Sequence, residues 1–109
     1  MSRDVRSEID QEVMGNKLML YMKGTPEMPR CGFSATVVNI LNQLGKPYGA
    51  VNVLDDPDKW NAVRERESWP TIPMIFVGGE FIGGCDITTE MFQAGELQTK
   101  VDGVFAAEA

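Results

Sequence analysis

Leu18-Met19-Leu20-Tyr21-Met22-Lys23-Gly24-Thr25-Pro26-Glu27-Met28-Pro29-Arg30-Cys31-Gly32-Phe33-Ser34 is the stretch from which the rest of the chain can be read. The apolar run Leu18 to Met22, bounded by Asn16-Lys17 and Gly24-Thr25-Pro26, has the length and composition of a buried strand. Thr25 to Arg30, stiffened by Pro26 and Pro29, reads as a loop that delivers Cys31. From Gly32 onward, Phe33, Val37, Ile40/Leu41 and Leu44 recur at helical spacing, and Gly45 closes the stripe with Pro47 just beyond. Cys31 therefore falls at the mouth of a helix. There the unpaired amides of the first turn and the positive end of the macrodipole favour thiolate over thiol. Lys23 and Arg30 add positive charge from the preceding segment. Such a thiolate is a nucleophile or a soft-metal ligand.

Outward from this stretch the chain alternates helices and strands. Val5, Ile9 and Val13 recur every fourth residue and predict an opening helix, with Gly15-Asn16 as a left-handed stop. Tyr48 to Leu54 predicts a second strand, parallel to the first because a helix connects them. Asp56-Pro57 is a cap followed by proline at the first helical position, so a helix is expected over Pro57 to Glu67. Met74 to Val77 and Glu80 to Ile82 are strand-like and flank Gly78-Gly79, a two-residue hairpin signal. Asp86 is expected to cap a helix running through Ala94 and stopped by Gly95, and a final short helix spans Val101 to Phe105. This order resembles a thioredoxin-like α/β sandwich: a four-stranded mixed sheet with helices on both faces, one domain over residues 1–109.

Composition limits the function classes. A net charge of −6 leaves no electrostatic footprint for a nucleic-acid backbone or an anionic membrane. No apolar run approaches the ~20 residues of a membrane span. The first eight residues lack the apolar centre of a secretory signal and carry acids, unlike a transit peptide. Cys31 and Cys85, the two cysteines, do not form a secreted disulfide scaffold, so a reducing cytoplasm is expected. The chain has no histidine, which excludes histidine acid–base catalysis and histidine metal ligation.

Ser34 stands where a Cys-x-x-Cys oxidoreductase keeps its resolving thiol. A hydroxyl cannot close a disulfide, so a mixed disulfide on Cys31 must be resolved by another molecule. Either an external thiol turns the site over, or the thiolate holds a cargo instead of exchanging. An iron–sulfur cluster needs four thiolates or histidine substitutes. With Cys31 as the one plausible exposed thiol, a single chain cannot supply them. Two chains would supply two, and a non-protein thiol the rest. Gly83-Gly84-Cys85-Asp86, leading into a helix, is an amide nest of the kind that binds anions.

The segment Lys23 to Ser34 resembles the signature of the monothiol, CGFS-type glutaredoxins. Trp69-Pro70-Thr71-Ile72-Pro73 and Gly83-Gly84-Cys85-Asp86 resemble that family's other two landmarks in the right order, and the likeness covers roughly residues 5 to 105. The resemblance implies a homodimer bridging one [2Fe–2S] cluster through Cys31 of each chain and two bound glutathiones. It also implies that a BolA-like protein can replace one protomer and that apo iron–sulfur proteins receive the cluster. It implies glutathione contacts from Lys23, Gly32, Phe33, Thr71, Ile72, Pro73, Gly84, Cys85 and Asp86. Thr71-Ile72 would lie before a cis-proline and pair with the peptide like an added strand, and Asp86 would receive the amino group. A second activity fits the same site: a glutathione-dependent oxidoreductase, in which Cys31 attacks a glutathionylated substrate and free glutathione regenerates it. Two departures stand out. Trp60 occupies the place of a basic residue on the helix after the second strand: either Arg64, one turn later on the same face, takes over, or Trp60 covers the ligand as an apolar lid, or it packs into the core. Met74 occupies the place of a glutamine.

Overall fold

The computed structural model describes residues 3–107; the ends of the predicted domain, residues 1, 2, 108 and 109, lie outside the described residues. The chain runs α1 (Val5–Gly15), β1 (Leu18–Met22), β2 (Gly24–Thr25), β3 (Met28–Pro29), α2 (Gly32–Leu44) and β4 (Gly49–Asn52). A 3₁₀ turn (Val53–Asp55) then leads into α3 (Pro57–Glu67), β5 (Met74–Val77), β6 (Glu80–Gly83), α4 (Cys85–Gln93) and α5 (Glu96–Ala106). β4, β1, β5 and β6 form the four-stranded sheet in that order. β1 is parallel to β4 and antiparallel to β5, and β5 and β6 form a hairpin. The α/β class, the mixed sheet and the thioredoxin-like layering are as the sequence predicts.

β1 explains why the sheet is covered on both faces. Successive strand side chains point to opposite sides. Leu18, Leu20 and Met22 accordingly pack with Val37, Leu41, Leu97 and Val101 of α2 and α5. Met19 and Tyr21 pack with Ile9, Val13 and Val63 of α1 and α3. All five β1 residues are buried, which is why the segment reads as a continuous apolar run and not an alternation. The turn Gly78-Gly79 has positive φ at both residues (61° and 82°), the backbone that a tight hairpin requires.

Five expectations are corrected. α1 does not end in a left-handed residue: Asn16 is extended at φ −125°, and its Nδ2 donates to the Glu12 carbonyl at 2.9 Å. The segment after β1 is a small antiparallel ladder of β2 with β3, and not a plain loop. The Met28 N–H, which donates to Thr25 Oγ1 at 3.1 Å, closes it. β4 is shorter than predicted, because the Asn52 side chain accepts from the Leu54 N–H and turns the chain into the 3₁₀ segment. Gly84, and not Asp86, is the N-cap of α4. α5 is also longer than Val101 to Phe105: Gly95, left-handed at φ 80°, starts the helix directly after α4.

α1 and α3 are joined by charge. Lys59, buried on α3, places Nζ 2.6 Å from Glu12 and 3.2 Å from Glu8 of α1. The Tyr21 hydroxyl donates to Glu12 from beneath at 2.8 Å. Burial alone would lower the Lys59 pKa, but the bonds to Glu12 and Glu8 outweigh it and raise it. Removing one partner of a buried pair costs several kcal/mol, less where the partner carboxylates reach water, as these do. Lys59→Ala is expected to lose about 2 kcal/mol, a drop of roughly 10 °C in the melting midpoint followed by circular dichroism. A drop below about 2 °C would show that the clamp contributes little.

Candidate functional site

One groove of about 630 Å³ opens at the end of β1. Lys23 forms its floor edge, Cys31 and Phe33 of α2 one wall, and Trp60 and Arg64 of α3 another. The Trp69–Pro73 loop and Gly84, Cys85, Asp86 and Ile87 complete it. Of the cluster and glutathione contacts expected from the sequence, all but Gly32 belong to this lining; Gly32 is exposed at the first position of α2. The exposed Arg30 side chain is likewise not part of the lining.

Cys31 is the N-cap residue of α2, extended at φ −151° and ψ 137°. Its thiol pKa is lowered, most strongly by the Ser34 N–H in the first turn. Partial burial opposes this, while the Phe33 N–H, the Lys23 charge and the Ser34 hydroxyl act with it. The first-turn amides thus favour the thiolate more strongly than the Lys23 charge does. A depressed pKa keeps the thiolate as pH falls, until the folded-state value is reached. Alkylation by iodoacetamide should therefore have its pH midpoint below that of an ordinary cysteine, and Lys23→Ala should move the midpoint upward. A midpoint at or above the ordinary value would contradict this.

Ser34 is fully buried and does more than fill the first helical turn: its Oγ accepts the Lys23 N–H at 3.1 Å. The Lys23 carbonyl accepts from the Arg30 N–H at 2.9 Å, which closes the base of the β2–β3 ladder. The Lys23 ammonium lies over the Trp60 ring, 5.3 Å from its centroid. The Arg64 guanidinium lies 5.7 Å from the same ring and donates to Asn61 Oδ1 at 2.6 Å. Trp60 is thus half-buried against the α1–α3 side of the core, and it also gathers two cations at the groove. Core packing and groove lining, weighed as alternatives from sequence, are both present.

The Ile72–Pro73 bond is cis. Thr71 is exposed at the groove, while Ile72 and Pro73 are buried. Met74 is fully buried in the core, so its side chain makes no contact at the groove or with a partner. Gly84 suits its place because a Cβ there would meet the Pro73 carbonyl at 3.2 Å and Trp69 Nε1 at 3.4 Å. Cys31 and Cys85 are both free thiols, half-buried in the same lining. Asp86 is exposed in the first turn of α4. Sequence reasoning missed Ile87, whose only signal is an apolar residue two places beyond Cys85, and Asn52, which belongs to no motif.

Among the described residues, no helix is long and apolar enough to cross a membrane. No group of three or more His, Cys, Asp or Glu side chains among them is placed to hold a metal ion.

The glutaredoxin family model matches residues 18–82. An uncharacterized monothiol glutaredoxin (ycf64-like) of Synechocystis is 47% identical over 98% of this chain and the whole of its own length. The chain belongs to the monothiol glutaredoxins. The solution structure of reduced poplar apo GrxS14 superposes with a TM-score of 0.82 at 43% identity, over 94% of both chains. A buckwheat glutaredoxin–glutathione complex superposes with a TM-score of 0.82 at 27% identity, over 94% of this chain and 91% of that one. A glutaredoxin groove with one helix-cap thiolate, two cations and an amide-lined helix start can bind a small anionic thiol beside Cys31.

Proposed function

We propose that this glutaredoxin carries a [2Fe–2S] cluster as cargo, held by the Cys31 thiolates of two chains and by two glutathiones, and passes it to acceptor proteins. One observation carries the reading: the place of a resolving thiol is taken by Ser34, whose buried hydroxyl is tied to the Lys23 backbone. A thiolate without a resolving partner on its own helix is better suited to hold a ligand than to complete disulfide exchange. The groove fits the co-ligand. Its volume lies in the range of small-molecule sites, and Lys23 and Arg64 present positive charge for the carboxylates of glutathione. The Thr71-Ile72 backbone would pair with the peptide, and the α4 start would receive its remaining polar groups. The buckwheat complex shows that a related groove accepts glutathione.

In this reading Lys23, Arg64 and the α4 amides hold glutathione so that its sulfur stands beside that of Cys31. Four thiolates then surround the cluster, which leaves by stepwise exchange for the acceptor's thiolates. The exposed Phe33, at 64% relative exposure, and Ile87 flank the groove where the second chain, or a BolA-like protein, would cover the cargo. The reading sets this activity in a reducing cytoplasm. Cluster-loaded protein mixed with an apo-[2Fe–2S] ferredoxin should lose its own visible spectrum as that of the ferredoxin appears, faster than from equal free iron and sulfide. Transfer no faster than from the free ions would contradict the carrier reading. The oxidoreductase alternative would instead be favoured by turnover of glutathione mixed disulfides without cluster.

A further inference from the structure

Two side chains that do not line the groove hold the peptide that carries its lysine. The Lys23 N–H donates to Ser34 Oγ at 3.1 Å, and the Gly24 N–H donates to Asn52 Oδ1 at 2.8 Å. Asn52 is fixed in turn at the end of β4: the same Oδ1 accepts from Leu54 N–H at 3.0 Å, and Nδ2 donates to Asp55 at 3.3 Å. Gly24 is left-handed at φ 90°, and a Cβ there would meet the Met28 carbonyl at 2.5 Å and the Arg30 nitrogen at 2.6 Å. The backbone therefore changes direction immediately after Lys23 and is anchored on both sides of the turn. One anchor comes from α2 and the other from β4.

We infer that Ser34 and Asn52 are positioning residues for glutathione binding, acting by fixing the Lys23–Gly24 peptide so that the Lys23 ammonium stands at the groove. This rests on the glutathione-binding part of the proposed function. The ammonium sits on a long, flexible stem, so the placement of its root, together with the Trp60 ring beneath it, bears on where it stands. Small errors in the placement of a binding group weaken binding steeply. Loss of the Asn52 acceptor also leaves the Gly24 N–H without its partner, which lets the turn relax toward solvent. Asn52 is not part of the groove lining, so its effect should run through the Lys23–Gly24 peptide.

The test is a double-mutant cycle on the reduced, cluster-free chain, with glutathione as the probe and affinities from an NMR titration. Asn52→Ala and Lys23→Ala are each expected to weaken glutathione binding about tenfold. The Asn52→Ala change is expected to have no further effect in the Lys23→Ala background. Ser34→Ala, the other anchor, should show the same coupling. Wild-type affinity in Asn52→Ala, or losses that simply add to those of Lys23→Ala, would overturn the inference and leave glutathione binding standing. Loss of folding by both anchor variants in circular dichroism would overturn it too, since the anchors would then serve the fold and not the groove. Failure of the wild-type chain to bind glutathione would overturn the proposed function and this inference with it.

Discussion

Cys31→Ser is expected to abolish cluster assembly while leaving the fold unchanged. A serine hydroxyl remains protonated at neutral pH and is a poor ligand for a soft iron–sulfur cargo, whereas the Cys31 thiol is already biased toward thiolate. The residue is half-buried at a helix mouth and belongs to neither of the two core clusters. Its replacement by a near-isostere should therefore change stability by no more than about 0.5 kcal/mol. Serine is also a preferred N-cap residue, so α2 should start normally. The measurement pairs visible absorption after anaerobic reconstitution with thermal melting of the same preparation. Stoichiometric cluster in the variant would remove Cys31 from the ligand set.

Gly24→Ala should produce the second large effect, and by a purely steric route. The residue sits at φ 90°, a conformation disfavoured for any side chain, and its Cβ would approach the Met28 carbonyl oxygen to 2.5 Å. The opposing atoms are backbone held in the β2–β3 ladder, so they cannot move aside as a flexible side chain could. Strain and clash together should cost on the order of 3–5 kcal/mol, a fall of roughly 15 °C or more in the melting midpoint. Since Gly24 follows Lys23 directly, the variant should also bind glutathione more weakly at temperatures where it remains folded. A loss below about 1 kcal/mol would show that the ladder shifts freely, and the account of a fixed approach to Cys31 would fail with it.

The parts of this fold that sequence discloses are those set by local chemistry. β1 is visible because burial on both faces needs an uninterrupted apolar run, and α2 because its apolar stripe ends at a left-handed glycine, Gly45. α3 announces itself through the Asp56 cap and Pro57. α5 is under-read because its first turn, Glu96-Leu97-Gln98-Thr99, offers one apolar residue to the core and no side-chain cap; Gly95 does the work by conformation alone. The start of α4 is misassigned for a related reason. Asp86 is a favoured cap residue type, but the close approach to Pro73 and Trp69 puts Gly84 in that position.

The candidate site divides the same way. The expected cluster and glutathione contacts carry their chemistry in their side chains or in their order, and all but Gly32 meet at one groove. Asn52 and Lys59 carry no such signal. Asn52 matters only because β4, parallel to β1 with Met22 opposite Asn52, brings its side chain to the Gly24 amide. Lys59 reads as one more solvated charge until α1 is laid across α3. Trp60 reads as a substitution that removes a cation. In the folded chain its ring instead gathers Lys23 and Arg64 at the groove.

The central claim is that Cys31 and glutathione together hold a cluster between two chains. Anaerobic reconstitution with iron, sulfide and glutathione, read by visible absorption and size-exclusion on the same sample, tests it most directly. The account predicts a chromophore that elutes as a dimer and forms only when glutathione is present. A colourless monomer at saturating iron, sulfide and glutathione that nevertheless turns over glutathione mixed disulfides would contradict it.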